Sequence, residues 1–340
     1  MKNKKPEFQN SENSEELTAV NSCKNLRLKI ASIFSGIGAF EEALHQMNIK
    51  TDIFFACDWD NAARDIFLLN NPLTRRFYSD VFTIRESNQK YNDLDLLLLS
   101  PPCVEFSKIN YQRDLESDTA NLVYEPLRLL EEGILNPKIV LFENVDNLLT
   151  IDNGNSFNAM MEVMKSLNYN ISYKIVNANL FSATNRNRLF IVMTRKDIKE
   201  YKWAPLPNKI DPGSIMDHLE AINTSYLDVN KSFTRNDDSR VSKNGLKKIA
   251  KLDNMTFEQS ALIYDPNYKS CCITASDAPR ILIDDKVRKL SIKEQLSIMG
   301  FRKDFKIDNL SHNKATEKIG NSISVDVLKY LIEPMIDILE

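Results

Sequence analysis

Leu94-Asp95-Leu96-Leu97-Leu98-Leu99-Ser100-Pro101-Pro102-Cys103-Val104-Glu105-Phe106-Ser107 decides how the rest of the chain is read. The apolar run from Leu94 to Leu99 reads as a buried strand, and it stops at two prolines. Proline fixes its own φ and cannot donate to a sheet ladder, so the chain leaves the sheet there in a stiff turn. Cys103 is the first residue after that turn. In open α/β sheets ligands bind just beyond the carboxyl ends of the strands. A thiol held there on a rigid loop is a candidate nucleophile. For a lone cysteine a small buried side chain is the plainer reading, and the flanking sequence must decide between the two.

Working back toward the N-terminus, Leu26 to Phe34 alternates apolar and polar residues and predicts a first strand. It runs into Ser35-Gly36-Ile37-Gly38-Ala39-Phe40, and a helix is predicted from Glu41 to Met47. Strand, glycine turn and helix form the first half of a Rossmann-like unit. The chain has only 8 glycines, so two in one turn call for a specific reason. A dinucleotide fingerprint needs a third glycine at position 41, which is Glu41 here; the shorter turn suits a cofactor without phosphates. The next strand, Ile53 to Cys57, ends at Asp58-Trp59-Asp60. Asp58 lies where an acid accepts hydrogen bonds from ribose hydroxyls. Trp59 can stack on a base or be ordinary core, and Asp60 can cap the helix Ala62 to Leu69. Asp80 offers a further polar contact for an adenine amino group.

Working forward, Lys108 to Thr119 reads as a loop able to close over a site, and Asn121 to Gly133 as a helix. The strand Lys138 to Phe142 ends at Glu143-Asn144-Val145, which puts a carboxyl at the same sheet edge as Cys103. Partial burial there favours the protonated form and suits proton donation; helix capping is the plainer role. A helix from Met160 to Leu167 and a strand from Tyr169 to Val176 follow. Arg186 and Arg188 then lie at i and i+2 on an extended segment, so they point to one side, and such a pair suits an oxyanion, a phosphate or a base carbonyl. From about Arg195 to Tyr268 the strand–helix alternation stops. That region holds Arg235, Arg240, Lys243, Lys247, Lys248 and Lys251, a basic stretch that can contact phosphates or simply be a solvated face. Ser291 and Glu294 form a capping-box signature, and the last helix is predicted from Val325 to Ile338 after Gly320-Asn321.

Composition excludes several classes. The chain has 340 residues, 43% hydrophobic and 27% charged, which is ordinary for a soluble globular protein. No run is long enough to span a bilayer. The first 25 residues read as a disordered polar tail without an apolar signal core, so a cytoplasmic protein is expected. Five cysteines without a C-x-x-C pair and three histidines argue against a disulfide framework and a zinc site. The net charge of −3 means that any nucleic-acid surface must be local.

Taken in order, Phe34-x-Gly36-x-Gly38, Asp58-Trp59, Pro102-Cys103-x-x-Phe106-Ser107, Glu143-Asn144-Val145, Arg186-x-Arg188 and Gly320-Asn321 closely resemble the cytosine-5 DNA methyltransferases of bacterial modification systems. The resemblance covers roughly Leu26 to Thr194 and Ser270 onward. It departs at Ala39 for a third glycine, at Val104 for glutamine, and at Ala183-Thr184 for Pro-Gln before the arginines.

The resemblance implies an α/β fold, a Rossmann-like AdoMet-dependent methyltransferase sheet with a smaller irregular target-recognition domain. It divides the chain into a tail (1–25), a catalytic domain (26–195), a target-recognition domain (196–269) and a return segment (270–340). It implies S-adenosylmethionine as methyl donor, no metal, and double-stranded DNA as substrate. Cys103 would add to C6 of a flipped-out cytosine, Glu143 would serve N3 and the amine, Arg188 the O2, and Arg186 would brace the loop or a phosphate. Phe34, Ser35, Gly36, Gly38, Asp58, Trp59, Asp80, Pro102, Leu122, Asn321 and Ser322 would form the cofactor pocket, with Asn321 also supporting the domain junction. Ser107, Arg235, Arg240 and Lys243 would touch DNA. A monomer is expected, with a cognate restriction endonuclease acting separately as a possible companion. Two other readings stay open. One is a tRNA methyltransferase of the same superfamily, whose members share Ser-Pro-Pro-Cys but usually carry a Cys-Phe-Thr that is missing here. The other is a catalytically silent DNA-binding subunit, against which the intact Cys103, Glu143 and Arg188 argue. A cysteine hydrolase would need a general-base histidine, and His45, His218 and His312 sit in no matching context.

Overall fold

A computed structural model describes residues 27–102, 118–211, 213–220, 232–236 and 239–340. Cys103, Ser107 and the N-terminal tail lie outside the described residues, as does most of the Lys108 to Thr119 loop.

The main sheet has seven strands: β1 (Arg27–Ile33), β2 (Lys50–Cys57), β3 (Phe77–Tyr78), β4 (Leu96–Leu99), β5 (Ile139–Asn144), β6 (Tyr169–Asn177) and β7 (Asn187–Arg195). Their order is β3-β2-β1-β4-β5-β7-β6. Strands β1 to β5 pair in parallel, and β7 runs antiparallel to both β5 and β6. Strand order reverses between β1 and β4, the switch point that opens a crevice in such sheets.

The four leucines of β4 show why the centre of the sheet reads as continuous apolar sequence. Leu96 and Leu98 enter one buried cluster, while Leu97 and Leu99 enter the cluster on the other face. β5 divides likewise, with Ile139 and Leu141 on one side and Val140 and Phe142 on the other. Both faces are therefore covered, as parallel sheets require. Each fully buried leucine contributes on the order of 2 kcal/mol. The first face is packed by α1 (Ala39–Gln46) and, from the end of the chain, α9 (Val325–Leu339); α2 (Asn61–Asn70) adds Ile66 and Phe67. The short α3 (Phe82–Glu86), α4 (Asp118–Glu131) and α5 (Asn155–Ser166) supply the second.

The region after β7 contains a second, five-stranded sheet: β8 (Phe233–Arg235), β9 (Lys248–Leu252), β10 (Leu262–Tyr264), β11 (Arg280–Ile283) and β12 (Lys286–Lys289), in the order β12-β11-β10-β9-β8. It draws strands from both sides of residue 270. A separate small core of Ala250, Leu252, Ala261, Ile263, Leu282 and Val287 holds it together, with α6 (Glu258–Ala261) against it. The chain then returns through α7 (Ile292–Ile298) and α8 (His312–Gly320) to α9. The capping box expected at Ser291 is formed: Glu294 N–H donates to the Ser291 hydroxyl and Ser291 N–H to the Glu294 carboxylate. The Asp60 cap also forms, accepting from Ala63 N–H at 2.8 Å.

Glu41 is an unusual element of this core. It occupies the first turn of α1 and is buried against β1, where Ser32 Oγ donates to Oε1 at 2.7 Å. Its Oε2 has no partner. Burial pushes the carboxyl up to about 7. The folded state therefore binds a proton that the unfolded chain releases near its ordinary value. Stability falls as pH rises from about 4.5 to about 7, and the whole penalty, on the order of 3 kcal/mol, is present above that window. Glu41→Gln is expected to raise the melting temperature at pH 8 by several degrees and to change it little at pH 5, measured by thermal denaturation at both pH values.

Candidate functional site

The strand-to-helix turn after β1 forms one wall of a cleft at the switch point. Phe34, Gly36 and Gly38 all have positive φ, at 60°, 53° and 89°. The two glycines adopt this left-handed backbone without the steric cost a side chain carries. A Cβ built on Gly36 meets nothing within 4 Å, so this part of the turn faces open space. Asp58, at the end of β2, holds the turn from behind: Oδ2 accepts from Gly36 N–H at 2.8 Å and Oδ1 from Asp60 N–H at 3.0 Å. Burial pushes the Asp58 carboxyl up, and these two bonds oppose the rise.

The cleft has a volume of about 480 Å3, within the range of small-molecule sites. Phe34, Gly36, Asp58, Trp59, Pro102, Leu122, Glu143, Arg186, Arg188 and Asn321 all line it. Trp59 is 76% exposed, so the core alternative for it does not hold. Gly38 caps α1 behind the wall, and Ser35 is buried with a hydroxyl that finds no partner. Asp80 does not line the cleft; it accepts from Phe82 N–H at the start of α3. Ser322 is buried beside the cleft and takes part through its backbone carbonyl.

Glu143 ends β5 and is 6% exposed. Arg188 Nε lies 3.0 Å from its Oε1, and Ser100 Oγ donates to Oε2 at 2.6 Å. Next to it, Asn144 Nδ2 donates to the Pro101 carbonyl at 2.9 Å and ties β5 to the proline turn. Arg186 and Arg188 have separate tasks. The Arg186 guanidinium is buried; Nη1 donates to Ile273 O and Cys272 Sγ, both at 3.1 Å. Its Nη2 donates to the carbonyls of Gly320 and Ser322, at 2.8 and 2.6 Å. Burial lowers its hold on the proton.

One cleft residue has no counterpart in the sequence motifs, and another stood in one without a role of its own. Lys318 Nζ donates to Asp60 Oδ2 at 2.5 Å and to Glu317 Oε1 at 2.7 Å. Burial pushes Asp60 up, but the Lys318 hydrogen bond and charge together with the backbone N–H groups of Ala62 and Ala63 outweigh it, and the carboxyl sits below its usual range. Nothing local couples residues 258 positions apart, so no sequence signal pairs them. Ser100 stood in the quoted stretch only as the residue before the prolines.

Of the expected DNA contacts, Arg235 pairs with Asp285, and Lys243 is exposed in a turn. Arg240 is exposed as well. The neighbouring Lys247 pairs with Asp265 at 3.2 Å and Lys251 with Glu258 at 3.4 Å. Acids from outside the basic stretch thus offset part of its charge. Among the described residues no group of three or more His, Cys, Asp or Glu side chains could hold a metal ion, and no helix is long and apolar enough to cross a membrane.

A parallel sheet with one reversed strand and a cleft at its switch point is a Rossmann-like, ligand-binding α/β architecture. The solved structure of the S. pombe Dnmt2 methyltransferase superposes with a TM-score of 0.71 at 20% identity, over 92% of this chain and 100% of that one. The chain belongs to the C-5 cytosine-specific DNA methylase family, whose model matches residues 28–337. It is 28% identical over 320 residues to the Type II methyltransferase M.Bsp6I of Bacillus sp. (strain RFL6), covering 90% of this chain and 98% of that protein. It is also 32% identical over 181 residues to the orphan methyltransferase M.SPRI of Bacillus phage SPR, covering 52% of this chain and 40% of that one.

Gly320 is the contact on which the Arg186 brace closes. A Cβ there would lie 2.3 Å from the Thr274 carbonyl carbon and 2.5 Å from Ala275 N, both backbone atoms that cannot swing aside. Gly320→Ala is expected to destabilise the fold by about 3 kcal/mol or more, read as a lowered denaturation midpoint, with ligand binding in the cleft lost in parallel.

Proposed function

We propose that this protein is a sequence-specific DNA (cytosine-5)-methyltransferase that transfers a methyl group from S-adenosylmethionine to C5 of a cytosine turned out of double-stranded DNA. The observation that carries the reading is the carboxyl of Glu143, held by Arg188 and Ser100 in the same cleft as the glycine turn. One part of the cleft suits a cofactor and the other a planar base.

The cofactor part fits the donor. The open face of Gly36, the half-free lone pairs of Asp58 and the exposed indole of Trp59 offer backbone approach, ribose acceptors and a stacking surface. When bound, S-adenosylmethionine supplies an electrophilic methyl group. Carbon C5 of cytosine is a poor nucleophile, and the protein must make it a better one. Pro102 lines the cleft and Cys103 is the next residue. The Cys103 thiolate forms a bond to C6, and the displaced π pair moves through C5 and C4 toward N3. Glu143 gives N3 a proton and accepts from the exocyclic amine. Arg188 donates to the O2. Loss of the C5 proton later restores the C5–C6 double bond and expels the Cys103 sulfur, and N3 returns its proton to Glu143. These groups cannot reach a stacked base, so the target leaves the helix.

The second sheet, with Arg235, Arg240 and Lys243, and Ser107 beside the cysteine loop, provide the DNA contacts. Asn321 lines the cofactor end, with Ser322 behind it. The enzyme acts as a cytoplasmic monomer. Its relatives include a Type II and an orphan enzyme, so a cognate restriction endonuclease is a companion to test for beside it.

The test combines purified protein, S-adenosylmethionine, unmethylated genomic DNA and total tRNA, followed by bisulfite sequencing of both pools. Protected cytosines in one short DNA context are expected. Protection confined to tRNA would move the substrate to RNA, and protection in neither would overturn the enzymatic reading. Cys103→Ser is expected to abolish protection while S-adenosylhomocysteine, followed by calorimetry, still binds with near-native affinity.

A further inference from the structure

Among the described residues, Ser100 is the one side chain on Glu143 that can both give and take a hydrogen bond. Its backbone cannot drift: Ser100 N–H donates to Ile33 O at 3.2 Å, and Pro101 follows. The two carboxyl oxygens differ in kind. Oε1 faces the Arg188 guanidinium, a cation with donors only, so a proton on that oxygen is disfavoured. Oε2 faces a neutral hydroxyl, which accepts from Oε2–H when the carboxyl is protonated and donates to Oε2 when it is not. Oε2 is therefore the oxygen that carries the proton.

We propose that Ser100 is a positioning residue for proton delivery: it holds Glu143 Oε2 toward the target base and turns to donate to that oxygen as its proton leaves. The inference rests on the reading of Glu143 as the acid that serves cytosine N3. The step balances. The Cys103 S–C6 bond forms, the π pair reaches N3, and the Oε2–H bond breaks as N3–H forms. The new carboxylate keeps its pair with Arg188 and gains the Ser100 hydrogen bond. A hydrogen bond to an ionised acceptor is stronger than one to a neutral group, so the contribution grows along the reaction coordinate. It therefore acts on kcat rather than on binding.

The experiment uses the full-length protein, a DNA duplex containing its target site, and release of tritium from cytosine C5. Ser100→Ala is expected to lower kcat and tritium release about tenfold, with dissociation constants for DNA and S-adenosylhomocysteine within about twofold of wild type. Ser100→Thr, which keeps the hydroxyl, is expected to restore most of the rate. In a Glu143→Gln background, Ser100→Ala is expected to add no further loss, because Ser100 acts through that carboxyl. A wild-type rate for Ser100→Ala would overturn the proposal. So would a full additional loss in the Glu143→Gln background, or weakened binding at unchanged kcat. If wild-type protein binds the cofactor but releases no tritium from any DNA, the methyltransferase reading itself fails, and the role of Ser100 with it.

Discussion

The buried guanidinium of Arg186 joins parts of the chain that would otherwise have no reason to stay together. Its four hydrogen bonds reach Cys272, Ile273, Gly320 and Ser322 from the segment that enters β7. A buried cation must be compensated by acceptors, and three of these are backbone carbonyls. Removing the acceptors would leave a desolvated charge, so the return segment is locked against β7 rather than merely resting on it. The absence of a side chain at Gly320 brings its carbonyl within reach, because the backbone at Thr274 and Ala275 lies directly against it.

That lock determines the shape of the cleft. One wall comes from the first half of the chain, through the glycine turn and Asp58. The opposite wall comes from α8, through Lys318 and Asn321. The ion pair between Lys318 and Asp60 crosses the two at a partly buried site, where screening by water is weaker than at the surface. The end of β5 also lines the cleft, and Glu143 is held there from two sides by Arg188 and Ser100. The carboxyl is thus fixed in place before any ligand arrives, which spares the cost of ordering it on binding.

The second sheet has a different physical character. Its core is six small or medium apolar residues, too few to order a large unit alone. Tyr264 and Ile281 of this sheet are instead part of the large buried cluster that packs one face of the main sheet. Several of its basic side chains are paired with acids, so its surface is a mixed one rather than a uniform cation patch.

What the sequence determined by itself is local and periodic. The leucine run of β4, the proline stop, the left-handed turn at Gly36 and Gly38, the Asp60 cap and the Ser291–Glu294 box each follow from residue chemistry over a few positions. The ordered motifs carried the family, and ten of the residues they single out meet in one cleft. The reach of the second sheet past residue 270 was not legible, because β11 and β12 are short and the pairing of β11 with β10 is a long-range choice. The division of labour between Arg186 and Arg188 followed only from the family resemblance, not from the residues themselves. On an extended segment both point to one side, yet one is buried among carbonyls and the other meets Glu143. Lys318 and Ser100 gain meaning only from partners 258 and 43 residues away. Tertiary structure decided these points, because hydrogen bonds and ion pairs across such distances exist only after the sheet has brought its strand ends together.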